Sequence, residues 1–181
     1  SRIDQHQPRK EDFVMSEAPI WKVEAINQVA IVVKDLDKAM ENYWKILGIG
    51  PWQVFNFDER IASDLTYDEE DAKFIMKIGL TMVGDTMMEL IEPKEGENIY
   101  SDFLKEKGEG IHHFGIFVDD VDKIRTDMRA AGLKCLQSGC FADRQGAFAY
   151  IDTTKDLSAI WEPLKMSPEG ALQPDYVYPE S

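Results

Sequence analysis

The sequence predicts an α+β protein built from two βαβββ modules whose curved sheets pair around a pseudo-twofold axis. Three observations lead to this prediction: a motif that occurs twice, strand-like segments that follow each copy, and polar residues that recur at equivalent places. The first copy, INQVAIVVKDLDKA, begins at Ile26, and the second, IHHFGIFVDDVDKI, begins at Ile111, 85 residues later. A long repeat of this kind indicates duplicated units that stack on a shared core.

Each copy of the motif has the pattern of a strand, an acidic turn and a helix. The apolar runs VAIVV and FGIFV have the composition of buried strands. Asp35 and Asp120 are the predicted N-caps of the helices that follow, because a carboxylate there accepts hydrogen bonds from free backbone N–H groups. Gly48 and Gly132 lie where the two helices are predicted to end.

Strand-like segments follow both helices and complete the modules. They are PWQVFNF, AKFIMKIGLTMV and TMMELIEP in the first half, and KCLQSGCF, GAFAYIDT and SAIWEPL in the second. A polar connector between the halves is predicted to contain a short amphipathic helix around residues 100–107. Residues 58–71 are predicted to form an acidic loop, and the tail from Ser167 onward is predicted to be extended.

The predicted organisation has five parts. An N-terminal extension covers residues 1–24, the first βαβββ module covers residues 25–95, and a connector covers residues 96–109. The second βαβββ module covers residues 110–166, and a C-terminal tail covers residues 167–181.

The overall charge argues against polyanionic partners. The chain of 181 residues has 20 Lys and Arg against 34 Asp and Glu, a net charge of −14. Nucleic acid and anionic membrane surfaces are therefore not expected to bind. No run of apolar residues is long enough for a membrane-spanning helix, and the charged N-terminus does not have the pattern of a secretory signal, so the expected location is cytoplasmic.

A polar residue occupies the same place near the start of both repeated strands. Alternate residues of a strand share one face, so Gln28 shares its face with Ala30 and Val32, and His113 lies on the equivalent face. The strictly apolar residues between them are predicted to face the helices. Because small neighbours leave room, the polar face is predicted to line a cavity. By the same alternation His112 is predicted to lie on the helix side or at the strand entrance.

Glutamates recur in the last strand of each half, Glu89 in TMMEL and Glu162 in AIWEP. Taken singly, a strand-end histidine and an edge glutamate have ordinary structural interpretations. A buried glutamate without a partner is costly, however, and both halves present one. The recurrence favours one shared site in which Gln28, Glu89, His113 and Glu162 bind a divalent metal ion. Three oxygen donors and one imidazole suit Zn, Co, Mn, Ni or Mg.

These residues also carry a family resemblance. The stretches that carry it are VAIVVKDLDKAMENYWKILGIGPW, GDTMMELIEP, GEGIHHFGIFVDDVD and LSAIWEPL. They resemble the vicinal oxygen chelate superfamily, also called the glyoxalase, bleomycin resistance and dioxygenase superfamily, and within it the methylmalonyl-CoA epimerases in particular. The epimerases usually have histidine where this chain has Gln28, whereas the Gln-Glu-His-Glu form of glyoxalase I matches all four positions. The resemblance implies paired βαβββ modules, a divalent metal in the cleft and a homodimer.

The proposed site suggests proton transfer beside a carbonyl group. A metal ion can polarise a bound carbonyl and stabilise an enolate, and two flanking carboxylates can then serve as opposed bases. Glu89 and Glu162 would take and return the α-proton on opposite faces, which gives epimerisation or racemisation. The expected activity is therefore that of an isomerase acting on a small carbonyl substrate.

Two substrate classes remain open, a CoA thioester and an α-aryl ketone. The first is implied by the resemblance, although the acidic chain offers no obvious diphosphate patch. The second is suggested by aromatic and thioether side chains that could line the cavity or belong to the core: Trp52, Phe55, Phe74, Met76, Met87, Phe117, Phe148, Tyr150 and Trp161.

Three other functions are alternatives. A glyoxalase-type lyase would act on a hemithioacetal. A ring-cleaving dioxygenase would need two histidines and a carboxylate around iron, and Gln28 removes one of those histidines. A non-catalytic drug-binding module could attract a cationic drug to the acidic surface, but such binders usually lack the four polar positions that this chain keeps.

Overall fold

The computed structural model describes residues 18–180, whose strands form one open sheet of eleven strands. The elements of the first half are β1 (Gln28–Val32), α1 (Leu36–Leu47), β2 (Trp52–Phe57), β3 (Ala62–Tyr67), β4 (Glu70–Asp71), β5 (Ile75–Val83) and β6 (Thr86–Glu95). The connector contains α2 (Ile99–Lys107). The elements of the second half are β7 (Gly110–Phe117), α3 (Val121–Ala130), β8 (Cys135–Phe141), β9 (Gly146–Ile151), α4 (Thr154–Leu157), β10 (Ile160–Lys165) and β11 (Tyr176–Tyr178). Most of the predicted N-terminal extension, residues 1–17, lies outside the described residues.

The order of the strands shows the duplication. From one edge to the other the sheet reads β11-β2-β5-β6-β1-β7-β10-β9-β8-β3-β4. The central strands β1 and β7 are antiparallel, and each has the last strand of its own half, β6 or β10, parallel on its outer side. The predicted α+β class with two βαβββ units is confirmed. The two curved sheets join edge to edge through β1 and β7, and the residue limits of the modules remain a prediction.

The register of the central pair repeats the symmetry at the level of residues. Gln28 lies opposite Gly115, and Ala30 lies opposite His113. The offset of 85 residues relates Gln28 to His113 and Ala30 to Gly115, so the pseudo-twofold axis exchanges the two pairs.

The outer neighbours keep the same register. Glu89 of β6 lies beside Ala30, and Glu162 of β10 lies beside Gly115. The two glutamates therefore occupy equivalent places in the two halves, as the sequence pattern predicted.

Both repeated helices begin as predicted. The Asp35 and Asp120 side chains each accept a hydrogen bond at 2.9 Å from the backbone N–H three residues later. Helix α1 ends at Gly48, whose φ of 65° is left-handed and suits glycine. Helix α3 ends one residue earlier than predicted, because Ala131 is its C-cap and Gly132 follows it.

The two faces of the sheet have different tasks. On the helix face, Val33 packs with Leu36 and Met40 beneath α1. On the other face, here called the cleft face, Ala30 and Val32 join a larger aromatic and aliphatic core. The predicted alternation along β1 is therefore confirmed.

Within residues 18–180 no helix has the length and apolar character needed to cross a bilayer.

Each half contributes a strand that pairs with an outer strand of the other half. Strand β3 leaves the first half and pairs with β8 of the second, and β4 pairs with β3 at the edge of the sheet. Strand β11 follows the second half and pairs with β2 of the first. The predicted acidic loop at residues 58–71 thus contains two strands, and the predicted extended tail contains a third. Acidic residues obscured the strand pattern in residues 58–71. The new strands are stabilised by pairing across the halves, which sequence periodicity cannot detect. The short helix α4 was likewise not predicted.

Candidate functional site

The four predicted side chains meet at the centre of the cleft face. Nε2 of His113 lies 3.3 Å from Oε1 of Gln28, 3.6 Å from Oε2 of Glu89 and 3.1 Å from Oε2 of Glu162. None of the four residues is more than 8% exposed. The structure therefore brings together all the residues that the repeat singled out, while their role as metal ligands stays a prediction.

Gly115 makes this convergence possible. It lies on β7 between the side chains from both halves, and a Cβ atom there would stand 2.7 Å from Oε1 of Gln28 and 3.1 Å from Oε2 of Glu162. Real Cβ atoms do not approach neighbours so closely without displacing them. The small residue expected beside the polar positions is thus a spatial requirement of the site.

Burial shifts the pKa values of all three ionisable side chains. Loss of water raises the pKa of Glu89 well above its usual range, and the charge of Glu162 adds to the rise. Burial raises the pKa of Glu162 to about 8, with the hydroxyl of Tyr150 acting in the opposite direction. Burial lowers the pKa of His113 to about 3, so its ring is neutral. Two buried carboxyls therefore share the site with an imidazole that carries no positive charge.

The donor atoms of the four residues suit a cation. No three His, Cys, Asp or Glu side chains among residues 18–180 are placed as a ready-made metal site, although both carboxylates lie within 3.6 Å of Nε2 of His113. Oε2 of Glu162 is nevertheless buried without a hydrogen-bond partner within that part of the chain. An amide oxygen, a neutral imidazole and two carboxylates are suitable ligands for a divalent ion, which would compensate both charges. The residues present fit such an ion.

His112 lies near the entrance of β7, one of the two places that strand alternation allowed, and its side chain turns towards the site and not towards the helix side. Ala30 pairs with His113 but Ile31 pairs with Ile111, which leaves His112 as the extra residue of a β-bulge. A bulge turns two consecutive side chains to the same side, and such bulges are frequent beside active sites. Nδ1 of His112 consequently lies 2.9 Å from Nδ1 of His113 and is buried with it.

Two buried tyrosines complete the second half of the site. The hydroxyl of Tyr150 lies 2.7 Å from that of Tyr100, and its ring centre lies 4.8 Å from that of His113. The register that pairs Trp161 with Ile151 continues along β10 and sets Glu162 opposite Tyr150. Because each hydroxyl has one proton, Tyr150 can donate to the carboxylate only if Tyr100 donates to Tyr150.

Glu89 has a different neighbour. In the first half the residue opposite Glu89 is Leu80, which offers no hydrogen bond. The side chain of Glu89 is 11% exposed against 4% for Glu162, so it is the more open of the two carboxylates. The halves share a backbone plan but not the surroundings of their glutamates.

A cavity of about 600 Å³ opens above these residues. Its polar floor contains Gln28, Glu89, Tyr150 and Glu162. Five of the nine aromatic and thioether residues considered from the sequence line it: Phe55, Met76, Met87, Phe148 and Tyr150. The other four, Trp52, Phe74, Phe117 and Trp161, lie elsewhere. Sequence periodicity did not indicate the C-terminal residues that also line the cavity, because they belong to no repeat.

Fold and site together define a two-unit α+β protein with a buried polar centre between its halves. The family model described as Glyoxalase/Bleomycin resistance protein/Dioxygenase superfamily matches residues 27–150. The chain belongs to this superfamily, and the resemblance stated from the sequence is confirmed.

Similar proteins include methylmalonyl-CoA epimerases. The mitochondrial enzyme of Mus musculus is 29% identical over 120 residues, which are 66% of this chain and 60% of that protein. The chain thus spans less than two thirds of this relative's length. Among solved structures, a Streptomyces coelicolor methylmalonyl-CoA epimerase in complex with 2-nitronate-propionyl-CoA is 19% identical with a TM-score of 0.56, covering 81% of this chain and 99% of that one. The Mycobacterium tuberculosis enzyme is 20% identical with a TM-score of 0.55, covering 81% and 90%. These structures show the shared fold.

Proposed function

We propose that the chain is an isomerase, an epimerase or racemase that exchanges the proton α to a carbonyl group through an enolate. The observation that carries this proposal is the pair of buried carboxylates at pseudo-symmetric positions, both within 3.6 Å of one imidazole nitrogen. A base on each side of a reacting carbon is the arrangement that inversion requires, since one side removes the proton and the other returns it.

Gln28, Glu89, His113 and Glu162 would hold a divalent ion, for which Zn, Co, Mn, Ni and Mg are candidates. When bound, the ion would supply a Lewis acid that polarises the carbonyl oxygen and favours the enolate. The buried oxygen of Glu162 that has no hydrogen-bond partner within residues 18–180 supports this assignment.

Glu89 and Glu162 would then each transfer the proton on one face of the substrate. Glu89, the more open carboxylate, would take or give the proton on the side of Leu80. Glu162 would do so on the opposite side, where Tyr150 lies opposite it on the neighbouring strand. The cavity walls would exclude water from the enolate and keep the substrate between the two carboxylates.

The test is deuterium incorporation from solvent into each enantiomer of a substrate separately. The wild-type chain is expected to exchange both enantiomers, whereas Glu89→Gln and Glu162→Gln are each expected to stop racemisation and to keep exchange from at most one enantiomer. Because an amide oxygen can still bind a metal, both variants are expected to keep the ion. Racemisation by both variants at the wild-type rate would show that other groups carry the proton.

The proposed function leaves two candidate substrate classes, a CoA thioester and an α-aryl ketone. The names of the epimerase relatives support the first, and the aromatic cavity walls support the second. A homodimer in the cytoplasm remains the predicted state of the protein.

A glyoxalase-type lyase is the second candidate, because the Gln28 oxygen beside His113 completes the Gln-Glu-His-Glu set. A ring-cleaving dioxygenase is disfavoured, since His112 meets His113 through Nδ1 and not on the Nε2 side where the carboxylates lie. A metal analysis together with the exchange assay separates these enzymes from a drug-binding module.

A further inference from the structure

The C-terminal segment crosses the mouth of the cavity. Residues 166–177, here called the strap, run from the end of β10 in the second half to β11 on the outer edge of the first half. Nine strap residues line the cavity: Met166, Ser167, Pro168, Glu169, Gly170, Leu172, Gln173, Pro174 and Val177. The strap is therefore one wall of the substrate space, opposite the polar floor.

The far end of the strap is fastened to the first half. Oδ2 of Asp175 accepts hydrogen bonds from the backbone N–H of Asn56 at 2.7 Å and from its side-chain amide at 3.1 Å. The backbone N–H of Asp175 donates to the carbonyl of Val54 at 2.8 Å. The hydroxyl of Tyr176 donates to Oδ1 of Asp37 at 2.6 Å. These contacts hold the strap across the cleft.

The middle of the strap is anchored by Leu172. Its neighbours Ala171 and Gln173 are exposed, whereas Leu172 is partly buried and packs against the core of the cleft face. One apolar side chain of the strap thus contributes to the cavity wall beside the aromatic residues.

The charges that line the cavity do not suit a phosphate-bearing substrate. Among the described residues that line it, none is a lysine, an arginine or a histidine, and Glu169 of the strap adds a carboxylate at its edge. Phosphate groups are normally bound by such cations or by backbone N–H groups at a helix N-terminus. The walls offer instead aromatic rings such as Phe55, Phe57 and Phe148.

We propose that the strap restricts the proposed epimerase to compact, uncharged α-aryl ketones that carry a hydrogen on the stereogenic α-carbon. This inference rests on the proposed function and names its substrate class. The cavity volume of about 600 Å³ lies within the range of small-molecule sites, which enclose most of a drug-sized ligand. A CoA thioester would bring its phosphate groups to a lining that offers them no cationic side chain among the described residues.

The experiment compares two probes with the same reacting carbon. One is a methyl ketone and the other a CoA thioester, each carrying the same single enantiomer of the 2-phenylpropanoyl group. Deuterium incorporation gives kcat/KM for each, divided by the uncatalysed exchange rate of that probe so that intrinsic acidity cancels. The wild-type chain is expected to prefer the ketone by about tenfold or more, the size of effect that an apolar pocket can produce.

The strap is tested by Leu172→Ala, with Ala171→Ser as the matched control on an exposed neighbour outside the lining. Leu172→Ala is expected to reduce the preference for the ketone about tenfold, and Ala171→Ser to leave it unchanged. If thermal melting shows that Leu172→Ala is unfolded at the assay temperature, the double variant Asp175→Asn, Tyr176→Phe loosens the strap without removing its apolar anchor.

The outcomes separate the two proposals. Exchange from the thioester at a rate equal to or above that from the ketone would overturn the strap inference and leave the epimerase proposal standing. An equal effect of Leu172→Ala on both probes would also overturn the inference. Absence of exchange from both probes would overturn the proposed function, and the strap inference with it.

Discussion

In the first half of the sheet Glu89 lies opposite Leu80, whereas in the second half Glu162 lies opposite Tyr150. The central strands differ in the same way, since the second half adds a bulge at His112 that β1 lacks. A duplicated backbone thus places one carboxylate opposite an aliphatic side chain and the other opposite a tyrosine hydroxyl. Equivalent position does not make the two carboxylates chemically equivalent.

The largest expected effect comes from substitutions at His113 and Gln28, the polar residues at equivalent positions of the two central strands. His113→Ala should remove the divalent ion and lower exchange from both enantiomers by about three orders of magnitude, because the nitrogen around which the other donors gather is lost. Gln28→His should keep or strengthen metal binding, since imidazole is the better ligand for borderline ions. Metal content by elemental analysis and deuterium exchange are the measurements. Full activity of His113→Ala would contradict the proposed site.

A second prediction uses the small residues that the pseudo-twofold axis relates, Gly115 and Ala30. Gly115→Ala should lower exchange about a hundredfold and destabilise the fold by about 1–3 kcal/mol, because the added methyl would displace Gln28 and Glu162. Thermal melting and the exchange assay measure both effects.

The matched control for this variant is Ala30→Gly. It opens space instead of filling it, so it should cost about 1 kcal/mol of stability while retaining exchange. Equal activity losses in the two variants would mean that the site does not depend on the space at Gly115.

The placement of these residues could be predicted from sequence because it follows from local rules. Strand alternation fixed the face of Gln28 and His113, and the repeat fixed Glu89 and Glu162 as their partners. The direction of the His112 side chain could not be predicted, because a bulge changes the alternation by one residue without leaving a mark in the pattern.

The outer strands β3, β4 and β11 and the strap could not be predicted from the sequence for another reason. Strands β3 and β11 are stabilised by pairing with the opposite half, and β4 is stabilised by pairing with β3, so their own segments show no strand-like alternation. The strap lies over the cavity because both its ends are attached elsewhere. Long-range partners of this kind are not encoded in a local window of residues.

A third prediction concerns the stability of the chain after a chelator has removed divalent ions. The pKa of Glu162 is about 8 in the folded chain, above its ordinary value of 4.5, because burial disfavours the charged form. A raised carboxyl pKa stabilises the fold at low pH, and this stabilisation is lost as the pH rises through the folded value. Between about pH 6 and pH 8 the ionisation of Glu162 alone should therefore lower the free energy of unfolding by about 1 kcal/mol per pH unit.

Denaturant titrations at several pH values measure this slope. Glu162→Gln removes the ionisation and should reduce the slope, and Glu89→Gln should reduce it as well, because burial raises the pKa of that carboxyl in the same direction. A slope in the wild-type chain that neither substitution changes would assign the pH dependence to other groups.

The smallest expected effect isolates the contrast between Leu80 and Tyr150. Tyr150→Phe removes one hydroxyl and keeps the ring that packs 4.8 Å from His113, so the fold and the metal content should be kept. Tyr100 loses its hydroxyl partner, but of the two carboxylates only Glu162 lies opposite Tyr150. One hydrogen bond to a charged group corresponds to about a tenfold change in rate. Exchange should slow about tenfold for the one enantiomer that Glu162→Gln also affects, while the other enantiomer keeps the wild-type rate. Tyr43→Phe, which removes a half-buried hydroxyl on the helix face, is the control and should change neither rate. If Tyr150→Phe slowed both enantiomers equally, the hydroxyl would serve the cavity as a whole, and the two carboxylates would be equivalent in chemistry as well as in position.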